Sequence, residues 1–155
     1  MDANREAQPR ASAGESGSRS IARADAGLAP LSTRALEERK LIHRNDSVRV
    51  QADAFRELRT KLLGMGQERN FVTLVAPVQR GCGGSFVARN LAAAFAFDET
   101  KTALLVDCDA LHPAQQSALG INAAAGGMMD YLEGGVADLA DIQYETGLPR
   151  LRLIP

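Results

Sequence analysis

The chain has 155 residues, a formal net charge of −1 and 45% apolar residues, which suits one domain with a core of its own. The nearly balanced charge argues against a strongly basic nucleic-acid-binding protein, so we expect no nucleic-acid partner. No apolar run is long enough for a transmembrane helix and no secretory signal is recognisable, so we expect a cytoplasmic protein.

The first part of the chain predicts little regular structure. Residues 1–30 lack apolar periodicity and large apolar side chains, so we predict that they are disordered. Residues 33–42 predict a short peripheral helix with Ser32 as its N-cap. Residues 51–63 predict an amphipathic helix that ends at the glycines following it. The apolar stripe expected on this helix consists of Phe55, Leu58 and Leu62.

The central segment predicts a strand, a loop, a helix and a second strand. Residues 71–76 are apolar and rich in β-branched side chains, which is typical of a strand buried on both faces. A glycine-rich loop follows over residues 77–85, and residues 86–97 predict a helix. Residues 102–109 predict a second buried strand. Such a β–loop–α–β unit joins parallel strands through a right-handed crossover.

The remaining pattern predicts a helix that starts near Pro113, a short helix over 128–135 and a third strand over 151–154. We therefore expect an α/β fold with three layers, a parallel sheet flanked by helices and incomplete at its C-terminal side. Residues 1–45 are expected to be a disordered or variable N-terminal region, and residues 46–155 the N-terminal part of a P-loop domain. Unpaired strand edges predict that the isolated chain is marginally stable or prone to aggregate.

The loop between the first strand and its helix has the architecture of a phosphate cradle, in which backbone N–H groups and a helix N-terminus face an anion. The pattern G-x-x-x-x-G-K-[ST] is matched in its last part only: Gly84 stands at the lysine position, and Ser85 supplies the hydroxyl. A flexible glycine-rich turn is the alternative interpretation. The candidate nucleotide-binding residues are Arg80, Gly81, Cys82, Gly83, Gly84, Ser85 and Phe86.

Two carboxylates follow the second predicted strand, at the end where open α/β sheets bind ligands. Asp107 and Asp109 are the candidate catalytic residues, and Ser85 with Asp107 is the candidate magnesium site. The alternative role for Asp107 is a helix or turn cap.

Five segments resemble, in order and spacing, the cytoplasmic bacterial tyrosine kinases (BY-kinases, CpsD/CapB type) of capsule and exopolysaccharide synthesis. That family lies within the Min/Par-type deviant Walker ATPases, so the resemblance implies a P-loop NTPase-like fold. It also implies ATP or ADP with magnesium as cofactor. The segments are DAFRELRTKLL (53–63), VAPVQRGCGGSFVARNLAAAFA (75–96), LLVDCDALHP (104–113), LGINAAAGGMMDYLEGG (119–135) and LRLIP (151–155).

Departures from the family pattern predict a catalytically impaired protein. The family's P-loop lysine is replaced by Gly84, and the second lysine of the Min/Par relatives by Gln79. Leu111 and His112 stand where the family has an arginine. We therefore expect weak nucleotide binding or none, and we regard Asp107 and Asp109 as vestigial. An alternative is that Arg80 supplies the missing charge and the protein is an active tyrosine autokinase.

The resemblance also implies partners. Asp53, Arg56 and Arg59 match the family motif that packs protomers into rings, so we expect a homo-oligomer. The implied partner is the cytoplasmic part of a membrane polysaccharide co-polymerase, which would hold the protein at the inner face of the plasma membrane. A Min/Par-type positioning ATPase is a second alternative, which predicts nucleotide-dependent dimers.

Overall fold

The computed structural model describes residues 30–43, 49–66 and 70–155, so the disorder predicted for residues 1–30 lies almost entirely outside the described residues. Residues 30–43 are ordered and include a helix, which differs from the disordered or variable region expected over 1–45. No helix within these ranges has the length and apolar character needed to cross a membrane. The elements in chain order are α1 (Thr33–Glu38), α2 (Arg49–Met65), α3 (Gly84–Ala96), β1 (Ala103–Val106), α4 (Gln115–Leu119), α5 (Met128–Leu132), a 3-10 helix (Leu139–Ile142), β2 (Tyr144–Glu145) and β3 (Leu151–Ile154).

The described strands form one small mixed sheet in the order β1-β3-β2. β1 and β3 run parallel, with Ala103 opposite Leu151 and Val106 opposite Ile154. β2, which the sequence pattern did not predict, pairs antiparallel with β3. The parallel pair agrees with the expected α/β class, whereas the antiparallel β2 departs from the all-parallel sheet that we expected.

The core lies between α3 and the sheet, with α2 packed on the other side of α3. α3 can approach its neighbours closely because its buried face consists largely of alanines, among them Ala93, Ala94 and Ala96. Leu36 and Leu41, which lie in and after α1, join the same core. This differs from the peripheral position that we expected for the first helix.

Most predicted helices are confirmed with shifted ends. Ser32 caps α1 as predicted, since its side chain accepts a hydrogen bond from the backbone N–H of Ala35. On α2 the predicted stripe is only partly right: Phe55 packs against the core, but Leu58 is exposed and Arg59 occupies the inward face instead. Arg59 is held there by hydrogen bonding, as described below.

The strand predicted over residues 71–76 is wrong. This segment pairs with no strand among the described residues, and Val72 and Leu74 are 97% and 82% exposed. Only Phe71 makes a ring contact, edge to face with Phe95 at 5.8 Å between ring centroids. β-branched composition indicates that a segment can adopt extended backbone, but a strand also needs a hydrogen-bonding neighbour.

Candidate functional site

The glycine-rich loop leads directly into α3, as the pattern predicted. Gly81 and Gly83 adopt left-handed backbone with φ of 80° and 90°, which glycine tolerates at no steric cost. Gly83 is the N-cap of α3, and no side chain caps this end of the helix. The positive end of a 13-residue helix therefore lies next to an exposed turn, an arrangement that attracts anions.

Gly84 occupies the position of the expected lysine, and its backbone does not require glycine because its φ lies outside the left-handed region. A Cβ atom built at Gly84 would lie 3.1 Å from the Cβ of Pro77, so a side chain there needs a shift of a few tenths of an ångström. The missing lysine is therefore a change of chemistry that the fold does not impose.

Asp107 follows β1 and acts as a backbone cap. One carboxylate oxygen accepts hydrogen bonds from the N–H groups of Ala114 and Gln115, both at 2.9 Å, and the other accepts from Asp109 at 3.3 Å. These contacts close the loop between β1 and α4. Asp109 is exposed and accepts a hydrogen bond from the backbone of His112 at 3.0 Å.

A buried glutamine connects the glycine-rich loop to the Asp107 loop. The Nε2 of Gln115 donates to the carbonyl of Ser85 at 3.0 Å, and its Oε1 accepts from Nη1 of Arg89 at 3.1 Å. Because its backbone N–H also bonds Asp107, Gln115 holds three elements together. Sequence reasoning missed Gln115 and Arg89. The available signal was an arginine four residues after Ser85, at the start of a largely apolar helix segment.

The two cysteines are free thiols, and both are exposed. Hydrogen bonding to the backbone of Gln79, with smaller contributions from neighbouring loop residues, lowers the pKa of the Cys82 thiol. The described residues contain no group of three or more His, Cys, Asp or Glu side chains that could hold a metal ion. Magnesium commonly takes one or two carboxylates plus substrate phosphates, so the magnesium site expected at Ser85 and Asp107 stays a prediction.

The residues expected at an oligomer interface divide into two groups. Asp53 and Arg56 are exposed and pair with each other at 2.7 Å. Arg59 is 20% exposed in its side chain and donates to the carbonyl of Ala94 at 2.9 Å, near the end of α3, with Asp98 at 4.0 Å. Arg56 and Arg59 also line a cavity of about 210 Å³. Arg59 thus joins α2 to α3 within one chain.

The curated proteins that this chain matches share one name. The chain is 34% identical over 101 residues to a curated protein of Streptococcus agalactiae. The chain is similar to tyrosine-protein kinase CpsD. Proteins of the same name from strain NEM316 (serotype III) and strain A909 (serotype Ia) match with the same identity over the same length. No protein-family profile and no solved structure matches.

The similarity to CpsD covers 65% of this chain but only 43% or 42% of the CpsD sequences. The chain thus spans less than half the length of the curated relatives that it matches. The similarity supports the BY-kinase-like resemblance.

Proposed function

We propose that the chain is a BY-kinase-like protein that regulates exopolysaccharide or capsule synthesis through protein contacts, with impaired phosphoryl transfer. Similarity to CpsD supports the kinase-like origin. The observation that carries the proposed impairment is Gly84, because it places no cation where the nucleotide loop is expected to have a lysine.

The size of the impairment follows from what such a lysine does. It binds the terminal phosphates and neutralises charge that develops during transfer. A hydrogen bond to a charged group contributes about 1.5–3 kcal/mol, so its loss weakens nucleotide binding about ten- to a hundredfold. The rate of transfer falls further, since loss of a comparable cation costs about 10³–10⁵ in rate.

The proposed nucleotide is ATP or ADP, bound weakly at residues 80–86. Magnesium, when bound, would contact the Ser85 hydroxyl and the Asp107 carboxylate and would neutralise phosphate charge. Asp107 can do this while it caps α4, because each carboxylate oxygen can accept more than one contact. Asp109, which is exposed beside it, has no further role in the proposal.

The test compares three forms of the full chain: wild type, Gly84→Lys and Gly84→Ala. The alanine variant introduces the same crowding against Pro77 without the charge and is therefore the matched control. We expect the lysine variant to bind a fluorescent ADP analogue with magnesium about ten- to a hundredfold more tightly than the alanine variant. We also expect no phosphotyrosine and no ATP hydrolysis by the wild type.

ATP hydrolysis or autophosphorylation by the wild-type chain contradicts the impairment and favours an active autokinase. Nucleotide-dependent dimers without a polysaccharide partner favour a positioning ATPase. Equal ADP affinity of the lysine and alanine variants contradicts the assignment of residue 84 to phosphate binding.

The proposed partner is the cytoplasmic part of a membrane polysaccharide co-polymerase, and the proposed location is the inner face of the plasma membrane. The exposed pair Asp53 and Arg56 is the part of the predicted oligomer motif that remains accessible to a second chain. Reversing both charges in the full chain is expected to lower the molar mass of the oligomer, measured by light scattering. Glu57→Lys, which reverses a charge on the same helix outside the predicted motif, is the control and is expected to leave the mass unchanged.

A further inference from the structure

Arg89 is a buried cation, and it has no acidic partner within the described part of the chain. The residue is 6% exposed on α3, and its Nη1 donates to the neutral amide of Gln115. Its Nε has no acceptor among the described residues. Among the residues that the structure describes, no carboxylate lies within 4.0 Å of the guanidinium. Burial lowers the pKa of this guanidinium.

Such an arrangement is costly for the protein alone. A desolvated charge destabilises a fold unless an opposite charge and hydrogen bonds compensate it. A bound anion near the guanidinium would offset this cost.

The position of Arg89 places this charge beside the glycine-rich loop. Arg89 follows Ser85 by four residues, so the two lie on one face of α3, and helix side chains lean toward the N-terminus. Gln115 confirms their proximity, since it bonds the carbonyl of Ser85 and the guanidinium of Arg89 with the two ends of one amide. The cation therefore lies within two hydrogen bonds of the first turn of α3.

We propose that Arg89 is the cation of the nucleotide site and supplies to phosphate groups bound at residues 81–86 the positive charge that Gly84 lacks. This inference rests on the proposed function, because it takes the glycine-rich loop to bind a nucleotide. The charge acts through a poorly solvated environment, where attraction between ions is stronger than in water. The charge of Arg89 strengthens nucleotide binding, but Arg89 does not replace the contact that a lysine at position 84 would make with the transferred phosphoryl group.

The test uses the full chain and titrates a fluorescent ADP analogue with magnesium. Arg89→Met, which keeps an unbranched side chain that fills the stem of the arginine but removes the guanidinium charge, is expected to bind the analogue about tenfold more weakly than wild type. Arg89→Lys, which offers a cation on a shorter side chain, is expected to bind the analogue more tightly than Arg89→Met. Arg80→Met tests the exposed cation within the proposed loop. Arg34→Met, which removes an exposed cation of α1 outside residues 80–86, is the control and is expected to bind like wild type.

A second readout separates charge from structure. Adenosine carries no phosphate, so a charge role leaves its binding, followed by NMR titration, unchanged in Arg89→Met. The proposal is overturned if ADP affinity is unchanged in Arg89→Met, if adenosine and ADP lose affinity equally, or if Arg89→Met does not fold. An Arg80→Met variant that loses the affinity instead assigns the charge to Arg80.

Failure of this inference can be told from failure of the proposed function. If Gly84→Lys binds ADP and the wild type does not, the loop is a nucleotide site and only the role of Arg89 is wrong. If neither protein binds ADP, the nucleotide loop itself is wrong.

Discussion

The position of Asp107 fits two different roles. A carboxylate at the end of a strand fits a magnesium ligand, and it also fits a cap for the helix that follows. In the structure it accepts three backbone hydrogen bonds, from Asp109, Ala114 and Gln115. The structural role is therefore present, and a role in magnesium binding has to coexist with it.

Replacing Asp107 with alanine is expected to destabilise the chain by about 2 kcal/mol, because backbone N–H groups at the start of α4 lose their acceptor. The measurement is the free energy of unfolding from urea denaturation. Asp109→Ala is the control, since Asp109 is exposed, and it is expected to cost about 0.5 kcal/mol. Equal losses in the two variants would contradict the capping role.

Cys82 is expected to react faster than Cys108 with iodoacetamide at neutral pH. Both thiols are exposed, and backbone hydrogen bonding, chiefly to Gln79, lowers the pKa of Cys82. A lowered pKa leaves more thiolate at a given pH, and the thiolate is the nucleophile. Alkylation rates of Cys82→Ser and Cys108→Ser are compared across pH. As pH increases, alkylation of the Cys108→Ser chain, which keeps Cys82, is expected to accelerate at a lower pH than alkylation of the Cys82→Ser chain. Coincident pH profiles of the two chains would contradict this expectation.

Elements that are determined by neighbouring residues in the sequence were predictable, and elements that depend on contacts with distant residues were not. The start of α1 follows from the capping side chain of Ser32, and α3 follows from the high helix propensity of its alanines. Residues 71–76 have the composition of a strand but lack a partner strand among the described residues, whereas β2 forms because β3 lies beside it. The same holds for the candidate site. The glycine-rich loop was predictable from its local pattern, but Gln115 was not, because it bonds Ser85, which is distant in sequence.

Asn90 joins two elements that are far apart in the chain. It is completely buried, and its Oδ1 accepts from the backbone of Ile42 at 2.7 Å. Its Nδ2 donates to the carbonyls of Lys40 at 3.0 Å and Phe86 at 3.1 Å. The segment after α1 is thereby fixed to α3, including Lys40 in left-handed backbone.

Asn90→Ala is expected to lower the free energy of unfolding by about 2–4 kcal/mol, since it leaves the buried N–H of Ile42 without its acceptor and removes two further, partly buried hydrogen bonds. The measurement is again denaturant unfolding. Asn122→Ala is the control because Asn122 is exposed, and its effect is expected to stay within about 0.5 kcal/mol. A small effect at Asn90 would mean that the segment is held by its apolar contacts alone.

At the scale of the whole molecule, a well-packed core coexists with an uncovered apolar segment. Leu153 and Ile154 on β3 are fully buried, whereas Val72 and Leu74 lie in water. Extended backbone with unpaired polar groups and exposed apolar side chains is the usual template for association between chains.

The isolated chain is therefore expected to self-associate through residues 71–76. Leu74→Lys should weaken association about tenfold or more, because burying a leucine contributes about 1.5–3 kcal/mol and a charge there opposes burial. Thr73→Lys adds the same charge on the opposite face of the extended segment and should have a smaller effect. Light scattering over a concentration series measures both. A wild-type chain that stays monomeric throughout the series, or equal effects of the two lysines, would show that this segment does not mediate association.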